Sequence, residues 1–379
     1  MEFKLNEEQV QIQRLARDFA QSELAPKAAH HDETGEFPWE NIKKMREVGF
    51  LGMMLPETYG GAEMDYLCHT LVVEEVSRAC ASTGVILEVH NSLHSEPILT
   101  FGTEAQKERW LPGLVEDRLG AFALTEPEAG SDAGAVRTTA ILDGDEYILN
   151  GRKCFITSGS QAHQYIVIAL TDKERGSRGL SAFVVDKDNP GMSFGKPEEK
   201  LGIHASCTTD VILEDCRVPV EDRLGNEGDG FKIALATLDG GRIGIAAQSV
   251  GIAQAAYEAA VAYAKDRVQF GKPIARLQAI QWMIAEMKTK LEAARLLTYR
   301  AAYVKDHGPG RGTSEIAMAK LFASEAAGWI TDKALQVHGG YGYMHEYPVE
   351  RHFRDVRITQ IYEGTSEVMK LVIAGTELR

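Results

Sequence analysis

Near the C-terminus of this chain runs Gln360-Ile361-Tyr362-Glu363-Gly364-Thr365-Ser366-Glu367-Val368-Met369, in which one carboxylate, Glu363, stands between an aromatic residue and a glycine. A glycine lets the backbone come close to a ligand. The hydroxyl pair Thr365 and Ser366 predicts the start of a short final helix, where free N–H groups can hold an anionic cofactor or ligand. A carboxylate kept partly dry against an aromatic wall has its pKa raised toward values useful to a general base. The same decapeptide also suits an ordinary helix N-cap with a solvated Glu.

Four further segments carry polar groups in places where a ligand could use them. Phe122-Ala123-Leu124-Thr125-Glu126-Pro127-Glu128-Ala129-Gly130-Ser131-Asp132 ends a strand in a turn offering hydroxyls and N–H groups to a planar polar ligand. As a bare motif it equally fits a β-turn with Asp and Ser as turn formers. Phe155-Ile156-Thr157-Ser158-Gly159 repeats the theme of an aromatic followed by a hydroxyl. Asp266-Arg267-Val268-Gln269-Phe270-Gly271-Lys272-Pro273 stops a helix in a basic, glycine-containing turn. Gln336-Val337-His338-Gly339-Gly340-Tyr341-Gly342 could let a phosphate approach the backbone, although Gly-Gly after a helix is more often a C-cap.

The elements that must position these residues fall into three blocks. Residues 1–118 read as all-helical. Asn6 caps a first helix with Gln9 as its capping-box partner and Val10, Ile12, Leu15 and Phe19 as its apolar face. Pro26 and the Gly35–Pro38 stretch are read as breaking it. Further helices are expected through Ile42–Gly49, Leu67–Arg78, Gly84–Phe101 and Glu104–Leu111. Residues 119–226 read as a middle antiparallel β domain, barrel or sandwich, with strands around Tyr147–Leu149, Tyr165–Leu170, Ala182–Val185 and Val211–Leu213. Asp143-Gly144-Asp145 and Asn150-Gly151 are both read as hairpin turns. Residues 227–379 return to helices, with Phe231–Arg267, Leu277–His307, Ser314–Val337 and Ser366–Ile373 forming a four-helix bundle.

Composition limits the partners. The chain has 379 residues, 44% hydrophobic and 25% charged, with a net charge of −14. That balance argues against a nucleic-acid surface or an acidic membrane as partner. No apolar run approaches the ~20 residues of a membrane span. The N-terminal residues lack a basic-then-apolar targeting pattern, and the five cysteines form no CxxC pair, so a cytoplasm with reduced thiols is expected.

Taken together and in this order, the segments LTEPEAGSD, FIT, DRVQFGKP, QVHGGYGY and IYEGTSE resemble the acyl-CoA dehydrogenase family over essentially the whole chain. The nearest likeness is to the short-chain, butyryl-CoA-dehydrogenase-like branch, through Thr237-Leu238-Asp239-Gly240-Gly241-Arg242-Ile243-Gly244-Ile245-Ala246. The resemblance implies FAD as cofactor and acyl-CoA as substrate. It implies an electron-transferring flavoprotein as electron partner and a homotetramer as assembly. Glu363 matches the base that removes the α-proton of the thioester while a β-hydride passes to the flavin. Phe122, Leu124, Thr125 and Ser131, with Phe155, Ile156 and Thr157, match the segments on the flavin ring. Arg267, Phe270, Gln278, Gln336, Val337, Gly339 and Gly340 match positions that hold the FAD pyrophosphate and adenine, partly across a subunit interface. Thr365, Ser366 and Glu367 match further FAD contacts. Ser131, Asp239, Arg242, Tyr362 and Gly364 match substrate contacts. No metal is implied.

Departures from the pattern are few. Gly241 stands where isovaleryl-type relatives carry their base, which leaves Glu363 as the one matched base. Phe155 replaces a common Trp, Ser158 and Ser160 an Asn and a Gly, and Met369 a Gln. In Ile86–His94, Glu88 stands where small or apolar residues are usual, in a region that closes the acyl pocket. Glu88 or His90 would then read a polar or bulky acyl end, but a solvent-facing helix position is the commoner case. His90 and His94 are read as surface histidines, since no third metal ligand is evident. Oxidase, reductive or electron-bifurcating roles remain open on the same fold, as does a non-catalytic acyl-CoA-binding scaffold.

Overall fold

The architecture is that of a computed structural model describing residues 4–378. The first block contains α1 (Glu7–Phe19), α2 (Ala28–Thr34), α3 (Trp39–Glu47), α4 (Tyr66–Ala79), α5 (Ala81–Glu88), α6 (Glu96–Phe101) and α7 (Glu104–Glu116). The capping box at Asn6 is formed: the Gln9 N–H donates to the Asn6 side chain at 2.8 Å, and the Asn6 N–H to the Gln9 side chain at 3.0 Å. The buried face of α1 is Ile12, Ala16 and Phe19, whereas Val10 and Leu15 are exposed. The inward stripe runs at four- and three-residue steps through a small alanine that hydropathy alone passes over. Pro26 does not break the chain's helical course. It sits near the start of a 3-10 turn (Ala25–Lys27), where its missing N–H costs nothing, and helical structure continues to Gly35, a left-handed cap. Between α5 and α6 the helix widens to a π-type turn over Val89–Ser95.

The middle block holds β1 (Gly120–Ala123), β2 (Thr139–Asp143), β3 (Glu146–Thr157), β4 (Gln164–Leu170), β5 (Leu180–Asp186), β6 (Met192–Phe194), β7 (Thr208–Pro219) and β8 (Arg223–Leu224). Their order is β6-β7-β3-β2-β4-β5-β8, with β1 beside β4. The expected antiparallel sheet is therefore mixed at one place, because β1 runs parallel to β4 and β2 touches β4 in parallel register. Asp143–Asp145 makes the predicted hairpin. Asn150–Gly151 does not: it lies inside β3, at a bulge against β7. A Cβ on Gly151 would fall 2.4 Å from the Thr138 hydroxyl, so glycine is there for close approach, one of the alternative uses of a strand glycine. Both faces of β4 are buried. Ile166 and Ile168 face the core shared with the helices, while Tyr165, Val167 and Ala169 face a second core inside the sheet domain.

The last block is built on α8 (Gly230–Asp266), a helix of 37 residues. A small hairpin of β9 (Val268–Gln269) and β10 (Lys272–Pro273) follows. The chain then forms α9 (Gln278–His307), α10 (Thr313–His338), α11 (Val349–Val356) and α12 (Ser366–Glu377). Every residue from Asp239 to Ala253 on α8 is buried, polar ones included, because α4, α5, α9, α10 and α11 surround it. No helix among the described residues is long and apolar enough to cross a membrane.

Candidate active site

The turn Tyr362–Gly364, between α11 and α12, is left-handed at two successive residues, with φ of +52° at Glu363 and +98° at Gly364. A glutamate adopts that conformation only where its surroundings enforce it. Two cations from the bundle do so. Arg242 Nε donates to the Glu363 carbonyl at 3.2 Å, and Lys320 Nζ to the Gly364 carbonyl at 2.5 Å. Asp239 holds Arg242 through Oδ1 at 3.0 Å, while its Oδ2 receives Arg311 at 2.5 Å and Thr313 at 3.1 Å. Asp239 and Arg242 thus act on the backbone of the turn that carries Glu363. Burial pushes the Lys320 ammonium down to about 8, against the opposing charge of Glu363. Thr365 caps α12 as predicted, accepting from the Val368 N–H at 3.2 Å. Met369 is buried beneath the turn: a Cβ on Gly364 would lie 2.6 Å from its Cε. The departure from Gln at 369 is thereby a packing choice.

The Glu363 side chain runs inward. Its Oε2 is covered and has no hydrogen-bond partner among the described residues. Burial raises its pKa to about 7, and the neighbouring Glu88 carboxyl and the charges of Lys320 and Arg242 limit the rise. Tyr362 is anchored beside it by a short hydrogen bond from its hydroxyl to Gln248 on α8. A Cβ on Gly241 would fall 1.9 Å from Glu363 Oε2 and 2.6 Å from Leu93 Cδ2. The place where isovaleryl-type relatives carry a base on the bundle's first helix and the place reached by Glu363 are therefore the same space.

The two segments of the sheet domain meet, because the Cys154 N–H donates to the Thr125 carbonyl at 2.9 Å. A buried pair fixes them from behind. Lys153 Nζ donates to Glu126 Oε1 at 2.8 Å and to the Leu124 carbonyl at 3.0 Å. Glu126 also takes the Arg137 and Thr138 N–H groups at 2.6 and 2.9 Å. Burial pushes Lys153 down to about 8, with Glu126 opposing the shift. Phe155, at φ +58° next to a break in the β3–β7 register, turns its ring outward and is 66% exposed. Ser158 has φ +60°, a conformation Asn tolerates better than Ser, which gives the departure at 158 a physical meaning. Phe122, Leu124 and Ile156 are buried, Thr125 and Thr157 half-buried and Ser131 exposed.

A second set gathers elsewhere. Arg267 lies over the Tyr341 ring, 5.2 Å from its centroid. Phe270 is 88% exposed at the tip of the β9–β10 hairpin, and Gln278 and Gln336 are exposed while Val337 is buried. Gly339 and Gly340 have nothing within 4 Å of a Cβ position. This set is not brought to Glu363 within one chain. Lys320, which holds the Gly364 carbonyl, and Gln336 are ~24 Å apart along α10 at 1.5 Å per residue.

Some functional side chains escaped the sequence reading. Lys320, Gln248 and Lys153 carry no local signal, since each is an isolated polar residue in an otherwise regular helix or strand. His90, His94 and Glu88, expected at the surface, are each 0% exposed. The histidines lie under the sheet domain: His90 Nδ1 accepts the Gly120 N–H at 3.2 Å, and His94 Nδ1 bonds the Ala121 carbonyl at 3.0 Å. Burial pushes His94 down to about 4, so its ring is neutral. A cleft of about 410 Å³, lined in part by Arg109, Arg118, Asp186 and Asp222, shares no residue with the Glu363 region. Two ion pairs cross it, Arg109 with Asp222 at 2.8 Å and Arg118 with Asp186 at 2.5 Å.

The chain is similar to known proteins over its whole length. Residues 6–118, 121–216 and 228–377 match the acyl-CoA dehydrogenase N-terminal, middle and C-terminal domains. The chain is 50% identical to the short-chain specific acyl-CoA dehydrogenase of Clostridium acetobutylicum over 100% of both chains. It is 52% identical to the acryloyl-CoA reductase (NADH) of Anaerotignum propionicum over 99% of this chain and 95% of that one. Butyryl-CoA dehydrogenase from Megasphaera elsdenii superposes with a TM-score of 0.98 at 48% identity over 100% of both chains. So does a chain from a structure of the electron transferring flavoprotein of Acidaminococcus fermentans, with a TM-score of 0.98 at 50% identity, again over 100% of both. With its three domains matched in sequence and its whole length matched in structure, the chain belongs to the acyl-CoA dehydrogenase family of FAD-dependent oxidoreductases.

Proposed function

We propose that this protein dehydrogenates a short-chain acyl-CoA to the trans-2-enoyl-CoA, with Glu363 as the base that removes the α-proton. The observation carrying this reading is Glu363 itself, on a doubly left-handed turn held by Arg242 and Lys320, with a buried Oε2 that has no hydrogen-bond partner among the described residues. Residues 1–118, 119–226 and 227–379 serve as its three domains, and Glu363 belongs to the last.

The residues present suit FAD. Ser366 Oγ, at the N-terminus of α12, is buried without a partner, the Phe155 ring is exposed, and Gly339 and Gly340 leave open space for a phosphate. Phe122, Leu124, Thr125, Ser131, Phe155, Ile156, Thr157, Thr365, Ser366 and Glu367 would hold the flavin end. Arg267, Phe270, Gln278, Gln336, Val337, Gly339 and Gly340 would hold the other end. When bound, FAD accepts the β-hydride. The chain's own residues do the rest. Glu363, ionised above a pKa of about 7, takes the α-proton, and Arg242 and Lys320 keep its turn fixed. Tyr362 and Gly364 line its approach, and Ser131 is assigned to the CoA portion. Positioning of this kind converts a weak base into an effective one.

The assembly we infer is a homotetramer. Its support is the exposed aromatic surface of the last block, Phe270 at 88%, Trp282 at 61% and Tyr343 at 80%. Electrons would pass to an electron-transferring flavoprotein, as the Acidaminococcus neighbour suggests. Five free cysteines suit a cytoplasmic setting. The acryloyl-CoA reductase relative favours one second reading, the same site run in the reductive direction.

Anaerobic titration of the holoenzyme with a panel of acyl-CoAs tests the proposal. Rapid loss of the visible flavin band with butyryl-CoA, abolished by Glu363→Gln with FAD retained, is the expected result. Normal turnover in Glu363→Gln would refute the role. A flavin reduced by NADH but by no saturated thioester would favour the reductive reading, and a protein that refuses FAD would favour a scaffold.

A further inference from the structure

The site contains a second carboxyl group for which the reaction above has no use. Glu88, the last residue of α5, is 0% exposed and reaches the base through space that α8 leaves empty. A Cβ on Gly244 would fall 2.2 Å from Glu88 Cγ, just as one on Gly241 would fall 1.9 Å from Glu363 Oε2. Gly241 and Gly244 are three residues apart and share one face of the helix, so the two carboxyls lie along the same wall. Each keeps an Oε2 that is buried with no hydrogen-bond partner among the described residues, while Glu88 Oε1 takes the Ser92 hydroxyl.

Two adjacent, dry carboxylates cannot both ionise, so the pair retains a proton. The surrounding charges decide which member keeps it. Glu363 faces Lys320 from α10 and Arg242 from α8, the latter already paired with Asp239. Glu88 faces Glu363, Ser92 and Glu96, together with the phenols of Tyr66 and Tyr362. Glu96 is itself engaged by Lys305 at 2.9 Å and by the Tyr66 hydroxyl. Burial, and then the charge of Glu363, drive the Glu88 carboxyl well above its ordinary range.

We propose that Glu88 is a positioning residue for the base: it stays protonated and donates a hydrogen bond to the Glu363 carboxylate, holding that group ionised and directed toward α8 in the resting enzyme. This rests on the reading of Glu363 as the base. The proton count closes. The resting pair carries one proton on Glu88, holds two after Glu363 takes the α-proton, and returns to one when Glu363 releases its proton to solvent.

Three holoenzymes beside the wild type test the idea: Glu88→Gln, which keeps a donor, Glu88→Leu, which removes it, and Glu363→Gln. The first readout is the infrared C=O stretch of a protonated carboxyl in the resting enzyme at pH 8. The second is the acid limb of kcat/KM against pH with butyryl-CoA. The wild type should show the band, both Glu88 variants should lose it, and Glu363→Gln should keep it. The acid limb should move up by about one pH unit in Glu88→Leu, tenfold in ionised base per unit, and stay in place in Glu88→Gln. A wild type without the band, or a limb equally displaced by Gln and by Leu, would overturn the proposal. If Glu88→Leu does not fold, the band in wild type and Glu88→Gln still decides it. Full turnover in Glu363→Gln would instead remove the base reading while leaving the origin of the band intact.

Discussion

The Glu363 turn and the Arg267–Gly339 surface, proposed as the two ends of one cofactor site, are built in opposite ways. Around Glu363 everything is closed within one chain. Asp239 holds Arg242, Arg242 and Lys320 hold two carbonyls of the turn, and Met369 fills the space under Gly364. Around Arg267 and Gly339 the surface is open, with a bare Phe270 and glycines facing nothing. Arg242 and the end of α8 at Asp266 are ~36 Å apart along that helix at 1.5 Å per residue, so one subunit presents the two ends far from each other. The lesson is about division of labour. The geometry around Glu363 is made from a single core, whereas the surface around Arg267 and Gly339 is left open, which suits the proposed completion by a neighbouring subunit.

The sharpest way to break this contrast is to fill the space the base uses. Gly241→Ala puts a methyl 1.9 Å from where Glu363 Oε2 now lies. Since neither α8 nor the held turn can give way, the carboxylate must move. A general base supplies roughly 10²- to 10⁴-fold, and turnover should fall by at least about 100-fold with FAD retained. Near-normal kcat would mean that Glu363 has another working position.

Lys320→Met comes next. It preserves length but removes the donor to the Gly364 carbonyl. Losing a charged hydrogen bond costs about 1.5–3 kcal/mol, so kcat should drop roughly tenfold or more while KM moves less. An equal rise in KM alone would assign Lys320 to substrate binding instead. In the wild type, kcat/KM should climb with pH through about 7, because a base with a raised pKa is protonated and idle below that value. A profile flat from pH 6 to 8 would contradict it.

How much of this was legible in the sequence follows from the same contrast. Thr365 and the Asn6 cap were readable because each depends on neighbours within a few residues, whereas Glu363 was singled out as the candidate base only through the resemblance of the whole chain. Lys320, Gln248 and Glu88 were not readable. Their roles arise when helices separated by many residues in sequence cross, and nothing near Lys320 records that the Gly364 carbonyl will arrive there. Asn150–Gly151 shows the converse error, since a dipeptide with strong turn preference is overruled when β7 pairs along the whole of β3. The inward side of α1 was only half caught: Ile12 and Phe19 are buried as expected, but Ala16, not Val10 or Leu15, completes the face.

The open end is tested by Arg267→Ala and by dilution. If a neighbour completes the adenine end, Arg267→Ala should weaken FAD retention about tenfold, the size of one charged contact, and leave kcat of the saturated enzyme near normal. Dilution should release FAD in step with dissociation of the assembly, followed by flavin fluorescence and light scattering on the same samples. FAD that stays bound to monomers would show that one chain suffices.

The smallest expected effect lies at Phe155, the aromatic proposed to face the flavin. Phe155→Trp restores the residue common in the family at a position whose φ of +58° and outward ring are set by the backbone and by the β3–β7 irregularity. Both side chains offer a flat apolar face, and the exposed ring has room for the larger one, so no core atom need shift. Turnover with butyryl-CoA should change by less than about twofold, within the range of a substitution that neither buries a polar group nor opens a cavity. A larger change, with the flavin spectrum shifted, would mean that the ring's identity at 155 tunes the flavin, and that the closed region extends past the base to the strand end of the sheet domain.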